Sequence, residues 1–466
     1  MEFFTQFIDW ANGILWTYVL VAMLICCAVW FTIRCKFVQV TMLRDLPVMF
    51  RNCTRPDDDE DEHISSFQAF AISIASRVGT GNLAGVAVAI TLGGPGAVFW
   101  MWLIAFLGAS SAFVESTLAQ LYKIRGESSF IGGPAYYMSI GLKKPWMGAI
   151  FSVLLILTFG FAFNSLQSNT ICQAFEEAFS IPPSYMGTVL TVLTLAIIFG
   201  GIQSIARVSS IIVPFMALGY ILLALVVIVM NITEIPHVLS LIISHAFGWE
   251  QGLAGGLGAA IQQGIRRGLY SNEAGMGSAP NVAATADVSH PVKQGKVQAI
   301  SVFSDTLIIC SCTAFIILVA GIPEGCDASG IKLTQIALCQ QIGPWGNIAV
   351  AIAIFFFAYS SVLGNYYYGE ANVQYLSKKP WVLTLYRIIV AAMVLFGSIA
   401  SLSTVWNLAD LFMGLMTICN LIAIVLLGKY AFRLLEDYRA QKRQGIKDPV
   451  FTKDKMPDIA DDLQCW

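Results

Sequence analysis

The sequence predicts an all-α, polytopic membrane protein of about eleven transmembrane helices. Three observations lead there. Hydrophobic residues make up 57% of the 466-residue chain and charged residues only 12%, more apolar surface than a soluble core hides. Apolar runs of about 20 residues recur along it, the length that crosses a ~30 Å hydrocarbon layer at ~1.5 Å per residue. Basic residues gather in alternate loops, as the positive-inside rule requires. Mean hydropathy is +0.71, and a net charge of −2 says little about partners.

The expected spans run over 13–33, 66–92, 96–121, 147–177, 184–201, 208–231, 252–279, 296–321, 345–370, 381–400 and 404–428. The start MEFFTQFIDW lacks the basic stretch of a cleavable signal, and the first run is long enough to span. With the N-terminus outside, eleven crossings place the C-terminus in the cytoplasm. Of the 27 Lys and Arg, Lys332 alone then falls outside, and Arg77, Arg266 and Arg267 fall within spans; the rest are cytoplasmic. The expected location is the cell (inner) membrane.

Between spans, Asp57 to Glu62 (DDDEDE) reads as a solvated loop. Met42 to Phe50 reads as a short interfacial helix, and Ile235 to Ala246 as another on the outer side. The tail KYAFRLLEDYRAQKRQ mixes apolar and basic residues; a segment on an anionic membrane surface and a plain solvated helix end fit it equally. Most of the eleven cysteines lie in apolar runs and read as small buried hydrophobes. A bridge between Cys326 and Cys339, near one outer loop, is compatible with the sequence but not required by it. His63, His237, His245 and His290 are scattered and form no metal-ligand pattern.

Two stretches echo each other. Arg77 is followed five residues later by Asn82-Leu83-Ala84-Gly85, and Arg267 by Asn272-Glu273-Ala274-Gly275, so both fit R-x-x-x-x-N-x-A-G. The first lies in span two and the second in span seven. An odd number of crossings between them inverts the second copy, which is the signature of an inverted-topology repeat. Gly79 and Gly81 weaken the first of these helices, and Gly264 and Gly268 are expected to weaken the second. A helix interrupted inside a membrane must line a cavity or be buried in protein. Its free N–H end attracts an anion and its free carbonyl end a cation, a pairing suited to a zwitterion and Na⁺. Tight helix packing is the competing reading of these glycines.

Each intramembrane arginine costs about 2.5–3.5 kcal/mol on insertion scales and needs a partner. Glu273, Glu115 and Asp305 match by depth. Arg266 and Arg267 are about 100° apart around a helix, so a single carboxylate serving both is not expected. Structural or gating ion pairs are favoured over substrate contact.

SRVGTGNLAGVAVAITLGGPGAVFWMW together with RRGLYSNEAGMGSAPN resembles the alanine/glycine:cation symporters, sodium-coupled amino-acid carriers of bacteria and archaea. The resemblance implies a LeuT-type fold: a 5+5 inverted repeat, here spans two to six against seven to eleven, plus one extra N-terminal helix. The implied divisions are 1–65, a first repeat 66–231, a second 232–430 and a tail 431–466. The stretch Arg77 to Asn82 is also similar to the A-V-G-L-G-N of the neurotransmitter:sodium symporters. By that likeness the sodium ligands fall on the carbonyls of Ala75, Val78 and Phe357 and the hydroxyls of Ser360 and Ser361. Hard oxygen donors suit Na⁺, although adjacent serines in an apolar helix also bond back to their own carbonyls. The resemblance assigns the substrate carboxylate to the N–H groups of Thr80 and Gly81, beside Gly79 and Asn82. It assigns side-chain contacts to Phe163 and Gln167, and the ammonium to carbonyls around Gly264 and Ile265, near Gly268. A second sodium site is not expected, since Gly264 lacks a hydroxyl and Asp305 matches only roughly.

The implied function is sodium-coupled symport of small neutral amino acids, alanine and glycine, by alternating access. The implied partners are the amino acid, Na⁺ and the lipid bilayer, with no nucleic acid or obligate protein partner. A proton-coupled carrier of the same fold, using Glu115, Asp305 or Glu273, is the alternative. No nucleophile or acid–base constellation suggests an enzyme, and short paired breaks argue against the continuous pore of a channel.

Overall fold

The computed structural model describes residues 2–45, 64–126, 129–248, 256–321 and 328–466. The described chain is helical apart from one two-stranded ribbon pairing Ile124–Arg125 with Phe130–Ile131 and an isolated bridge between Ile64 and Ala286. Eight helices are long and apolar enough to cross a membrane. They are α1 (Gln6–Arg34), α4 (Ala97–Leu121), α5 (Pro145–Phe179), α7 (Gly201–Met230), α11 (Pro291–Ala320), α13 (Trp345–Leu376), α14 (Pro380–Ile399) and α15 (Leu402–Arg443).

The three remaining expected spans fall short of that length for two reasons. Expected span 184–201 is the shorter α6 (Pro183–Ile198). The other two are interrupted. Span 66–92 divides into α2 (Ser66–Arg77) and α3 (Gly81–Gly93). Span 252–279 is α9 (Gly256–Asn272), then an irregular stretch, then the single turn α10 (Pro280–Ala283).

α2 begins at a capping box: Ser65 Oγ accepts the Gln68 N–H at 3.1 Å, and Gln68 Oε1 accepts the Ser65 N–H at 2.9 Å. It stops where Val78 leaves helical geometry, at ψ 89°. α9 ends differently. Glu273, Gly275 and Gly277 all take positive φ, at 56°, 84° and 87°, a region favourable chiefly to glycine.

The expected loosening at Gly264 and Gly268 is therefore displaced. α9 is continuous through both residues and breaks only after Asn272. A Cβ on Gly264 would stand 2.6 Å from Trp100 Cβ, and one on Gly268 2.8 Å from Ile104 Cγ2. These glycines let α9 lie close against α4, the packing role small residues serve in membranes.

The helices pack in two groups. α11 and α9 lie along α4, with α3 against α9; α13 and α14 lie along α5, with α6 against α14. α2 runs between them, touching α13, α7 and α11. α1 packs on α4 and α15.

The expected helix at Ile235–Ala246 is present (α8), and Trp100 Nε1 donates to its Ala246 carbonyl at 3.1 Å. A further short helix, α12 (Ile331–Ile342), was not anticipated; its Thr334 hydroxyl donates to the Leu83 carbonyl at 3.0 Å. After α1 the chain forms a helical turn at Val38–Thr41 and a 3₁₀ turn at Met42–Asp45. The rest of the expected 42–50 helix, the acidic run 57–62, His63 and Cys326 lie outside the described residues.

Most of the expected tail segment, residues 429–443, continues α15 and buries Tyr430, Leu434, Leu435 and Tyr438, so it is not a plain solvated helix end. Beyond α15, residues 444–466 fold back onto the protein, burying Phe451, Met456, Ile459 and Leu463.

Candidate functional site

The first break is held open by side chains. The Gly79 N–H donates to Asn82 Oδ1 at 2.9 Å, and the Thr80 N–H to Gln167 Oε1 of α5, also at 2.9 Å. With Gly79's N–H turned to Asn82, the Ala75 carbonyl loses the partner a continued helix would supply. The second echo copy uses its asparagine alike: Asn272 Oδ1 accepts the Ala274 N–H at 3.0 Å. The shared asparagine thus satisfies a backbone donor in each break.

The two breaks meet. A Cβ on Gly81 would stand 3.1 Å from Ser271 Cα, and one on Gly79 2.9 Å from Gln167 Oε1. A side chain at Gly79 would displace its neighbours, and one at Gly81 would press on the end of α9 by a few tenths of an ångström.

The freed carbonyls converge on α13. Ser361 Oγ lies 2.9 Å from the Ala75 carbonyl, 3.0 Å from that of Phe357 and 3.3 Å from that of Val78. One hydroxyl proton cannot satisfy three carbonyls. The surplus lone pairs face a common point, the hard-oxygen donor set that a small cation binds. Four of the five expected ligands are thus brought together. Ser360 shares the Phe357 carbonyl at 2.9 Å but also points to Met216 Sδ on α7, at 3.6 Å. Both serines do bond back to Phe357.

Beside Thr80 and Gln167 stands an aromatic cluster. The Phe163 ring, expected from sequence, lies 4.6 Å from Tyr270, which lies 5.0 Å from Trp406. Gln167 Nε2 reaches the Tyr270 hydroxyl at 3.5 Å. Thr80, Phe163, Gln167, Tyr270 and Trp406 are all buried, so the region is closed. Tyr270 and Trp406 were not anticipated, although Tyr270 lies inside the quoted RRGLYSN stretch. Gly264, Ile265 and Gly268 are not at this junction's break. They lie earlier in α9, and the carbonyls nearest the break belong to its last turn.

A second polar cluster adjoins Asn82. Its Nδ2 donates to Asp305 Oδ1 at 2.7 Å; Asp305 Oδ2 accepts from Ser271 Oγ at 2.7 Å and Thr306 Oγ1 at 2.9 Å. The hydroxyl found wanting at Gly264 is supplied by Ser271. Ser271 thereby answers one of the two grounds for expecting no second sodium site, the missing hydroxyl. Glu115 of α4 accepts the N–H groups of Gly275 and Gly277, both at 3.1 Å, and Asn420 Nδ2 at 2.8 Å. It stabilises the second break by satisfying donors that no helix satisfies.

The arginine pairing also differs from expectation. Asp410 of α15 binds both Arg266 and Arg267, the latter by two bonds of 3.1 and 2.7 Å. Asp410 offers two oxygens and sits between the side chains, so their separation around the helix is no obstacle. Arg267 also lies 4.2 Å over the Trp406 ring, tying the ion pair to the aromatic cluster. Asp410 is the lone acid within expected span 404–428, and that was the available signal. Arg77 turns instead to α11, donating to the Gln298 carbonyl at 3.3 Å and to the Ser301 hydroxyl.

The family profile described as "Sodium:alanine symporter family" matches residues 1–453. The chain belongs to that family. It is 52% identical over 456 residues to the "Probable sodium/glutamine symporter GlnT" of Bacillus subtilis, covering 98% of this chain and 95% of that one. It is 38% identical over 434 residues to the "Sodium/alanine symporter AgcS" of Methanococcus maripaludis, covering 91% and 95%. Among solved structures it resembles MhsT in complex with L-phenylalanine, with TM-score 0.56 at 15% identity over 88% of this chain and 94% of that one. A manganese transporter of Eremococcus coleocola gives TM-score 0.52 at 13% identity over 82% and 81%. The fold is thus the LeuT-type transporter fold, and this sodium:alanine symporter family member is a multi-pass membrane carrier rather than an enzyme.

Proposed function

We propose that this family member is a sodium-coupled symporter that imports small neutral amino acids, alanine and glycine among them, by alternating access. The observation that carries the reading is the convergence of the Ala75, Val78 and Phe357 carbonyls on Ser361 Oγ. It adjoins Gly79 and Thr80, whose N–H groups are taken by Asn82 and Gln167. Na⁺ binds the carbonyl side together with Ser361, assisted by Ser360. The amino acid's carboxylate binds the Thr80 and Gly81 N–H groups, replacing Gln167 Oε1 at Thr80. Gln167 then turns its amide to the substrate, and its ammonium meets carbonyls of the last turn of α9. Phe163, Tyr270 and Trp406 leave little room for a side chain, and each excess methylene costs about 1–3 kcal/mol in such a pocket.

Ordering both breaks around the two ligands favours the occluded arrangement, and the group of α2, α3, α4, α9 and α11 then rocks against α5, α6, α13 and α14. The membrane potential contributes about 2.3 kcal/mol per charge per 100 mV to inward release. The repeats are taken as 66–231 and 232–430, between an N-terminal segment 1–65 and a cytoplasmic tail 431–466. The distribution of basic residues among the expected loops supports a cell-membrane location with the N-terminus outside.

The test is uptake of labelled alanine, glycine and glutamine into proteoliposomes with sodium and proton gradients imposed separately. Sodium-driven alanine uptake with saturation is expected. Glutamine is the competitor because of the 52%-identical relative's name. Proton drive is the second reading, supported by a 38%-identical relative from Bacillus sp. (strain PS3) named "Sodium/proton-dependent alanine carrier protein". Uptake driven by a pH gradient without sodium would select it.

A further inference from the structure

The last 23 residues, QGIKDPVFTKDKMPDIADDLQCW, carry too many charges for a membrane segment, yet they place an apolar residue at intervals. Four of these, Phe451, Met456, Ile459 and Leu463, are less than 10% exposed. Burial of that kind requires a surface made to receive it.

That surface has two sides. On α15, Arg433 grips Asp458 through two bonds of 2.7 and 2.8 Å, and Gln441 exchanges two bonds with Val450. On the other side lie the segment joining α10 to α11 and the end of α4. The Phe451 N–H donates to the Ser289 carbonyl at 2.9 Å, Ser289 Oγ donates to the Pro449 carbonyl at 3.0 Å, and Lys293 pairs with Asp448. Trp466 Nε1 donates to the Gln120 carbonyl at 3.1 Å, and the Lys123 ammonium lies 4.9 Å from the Trp466 ring. Phe451 and Trp466 meet at 5.5 Å. The strap thus ties α15, which carries Trp406 and Asp410, to the ends of α4 and α11, which flank both breaks.

We propose that residues 444–466 are a cytoplasmic latch that holds the inner face of the carrier closed, and that its release sets how often that face opens. The proposal rests on the alternating-access reading given above. α15 packs along α5 more extensively than against α4 or α11 and so belongs with the α5, α6, α13 and α14 group. Opening toward the cytoplasm then parts the α4–α11 group from it at this end, and the strap crosses that seam. The more free energy the strap contributes to the closed form, the smaller, exponentially, the open-inward population of the ligand-free chain.

The test is hydrogen–deuterium exchange on the full-length protein in lipid nanodiscs without sodium or amino acid. Wild type is compared with Phe451→Ala/Trp466→Ala and with a chain ending at Gln444. The informative peptide is α2, which makes no hydrogen bond or ion pair with the strap among the described residues. Latch release should speed exchange in α2 at least threefold together with 284–293, and sodium should reverse the α2 effect. Faster exchange at 284–293 with α2 unchanged would overturn the latch and leave the strap a local cover. The double variant keeps the test decisive if the shortened chain fails to fold. Because no uptake is measured, this outcome is independent of the proteoliposome result. Loss of sodium-driven uptake in wild type would count against the proposed function alone.

Discussion

Gln167 Oε1 accepts the peptide N–H of Thr80 at 2.9 Å. A side-chain carbonyl on α5 therefore satisfies the donor that the interrupted helix presents, in the position assigned to a substrate carboxylate. Gln167→Leu removes both this acceptor and its amide, and the alanine dissociation constant should rise about 5–30-fold, the loss of one or two hydrogen bonds. Isothermal calorimetry in sodium measures it. Unchanged affinity would remove Gln167 from the site.

The two serines of α13 are not equivalent. Ser361 faces three carbonyls, whereas Ser360 faces one and a thioether. Ser361→Ala should raise the sodium concentration for half-maximal uptake at least tenfold, and Ser360→Ala by a smaller factor. Equal effects, or a larger effect at Ser360, would contradict the geometry. The Hill slope of the same curves reports whether the Asn82–Asp305–Ser271 cluster binds a further cation.

Asp410 neutralises two arginines in a buried setting, with side-chain exposures of 1% for Asp410 and 4% for Arg267. Removing one partner of a buried pair costs about 3–5 kcal/mol, since the other charge is left uncompensated. Asp410→Asn should therefore lower the thermal unfolding midpoint clearly more than Arg266→Gln, which leaves the Arg267 pair intact. A reversed order would show that Arg266 is the principal partner.

Gly264 packs on Ala97 and Trp100. Gly264→Val should destabilise the protein by about 1–3 kcal/mol through overpacking. The folded fraction should bind alanine within twofold of wild type. A tenfold loss of affinity at unchanged stability would return Gly264 to the binding site.

His290, just ahead of α11 and beneath the strap, is fully buried. Its Nδ1 accepts the Val292 N–H at 3.2 Å, so the proton sits on Nε2, which donates to Asp437 Oδ2 at 3.3 Å. Burial holds its pKa down at about 4; Asp437 favours the charged ring, while Lys293 and Lys296 oppose it. The unfolded chain takes up this proton first, near pH 6.5, so stability is intact at pH 7 and lost as pH falls toward about 4. The contribution at pH 7 is on the order of 3 kcal/mol. Unfolding midpoints at pH 7 and pH 5 should differ more for wild type than for His290→Gln. Equal differences would mean that other groups govern the acid sensitivity.

Legibility in the sequence followed the range of the interactions. Helix type, span positions and the break at Gly79–Gly81 were readable because hydropathy, glycine content and capping act over a few residues. The convergence of the Ala75, Val78 and Phe357 carbonyls on Ser361, the candidate cation site, was readable only through resemblance, since Ala75 and Ser361 lie 286 positions apart. The second break was misplaced because glycine serves close packing as readily as interruption. At Gly264 and Gly268 the neighbour is α4, and the interruption comes where Glu115 satisfies the peptide N–H groups of Gly275 and Gly277.

By itself the sequence determined that the chain crosses a membrane repeatedly as helices, because lipid can satisfy no exposed peptide group. It also located two echoed, inverted segments, because the same local motif recurs. Only the tertiary structure decided that Asp410 serves both arginines, that Tyr270 and Trp406 stand beside Phe163 and Gln167 at the candidate site, and that the tail closes over α4 and α11. Those outcomes depend on which surfaces meet across hundreds of residues, and no local periodicity records that.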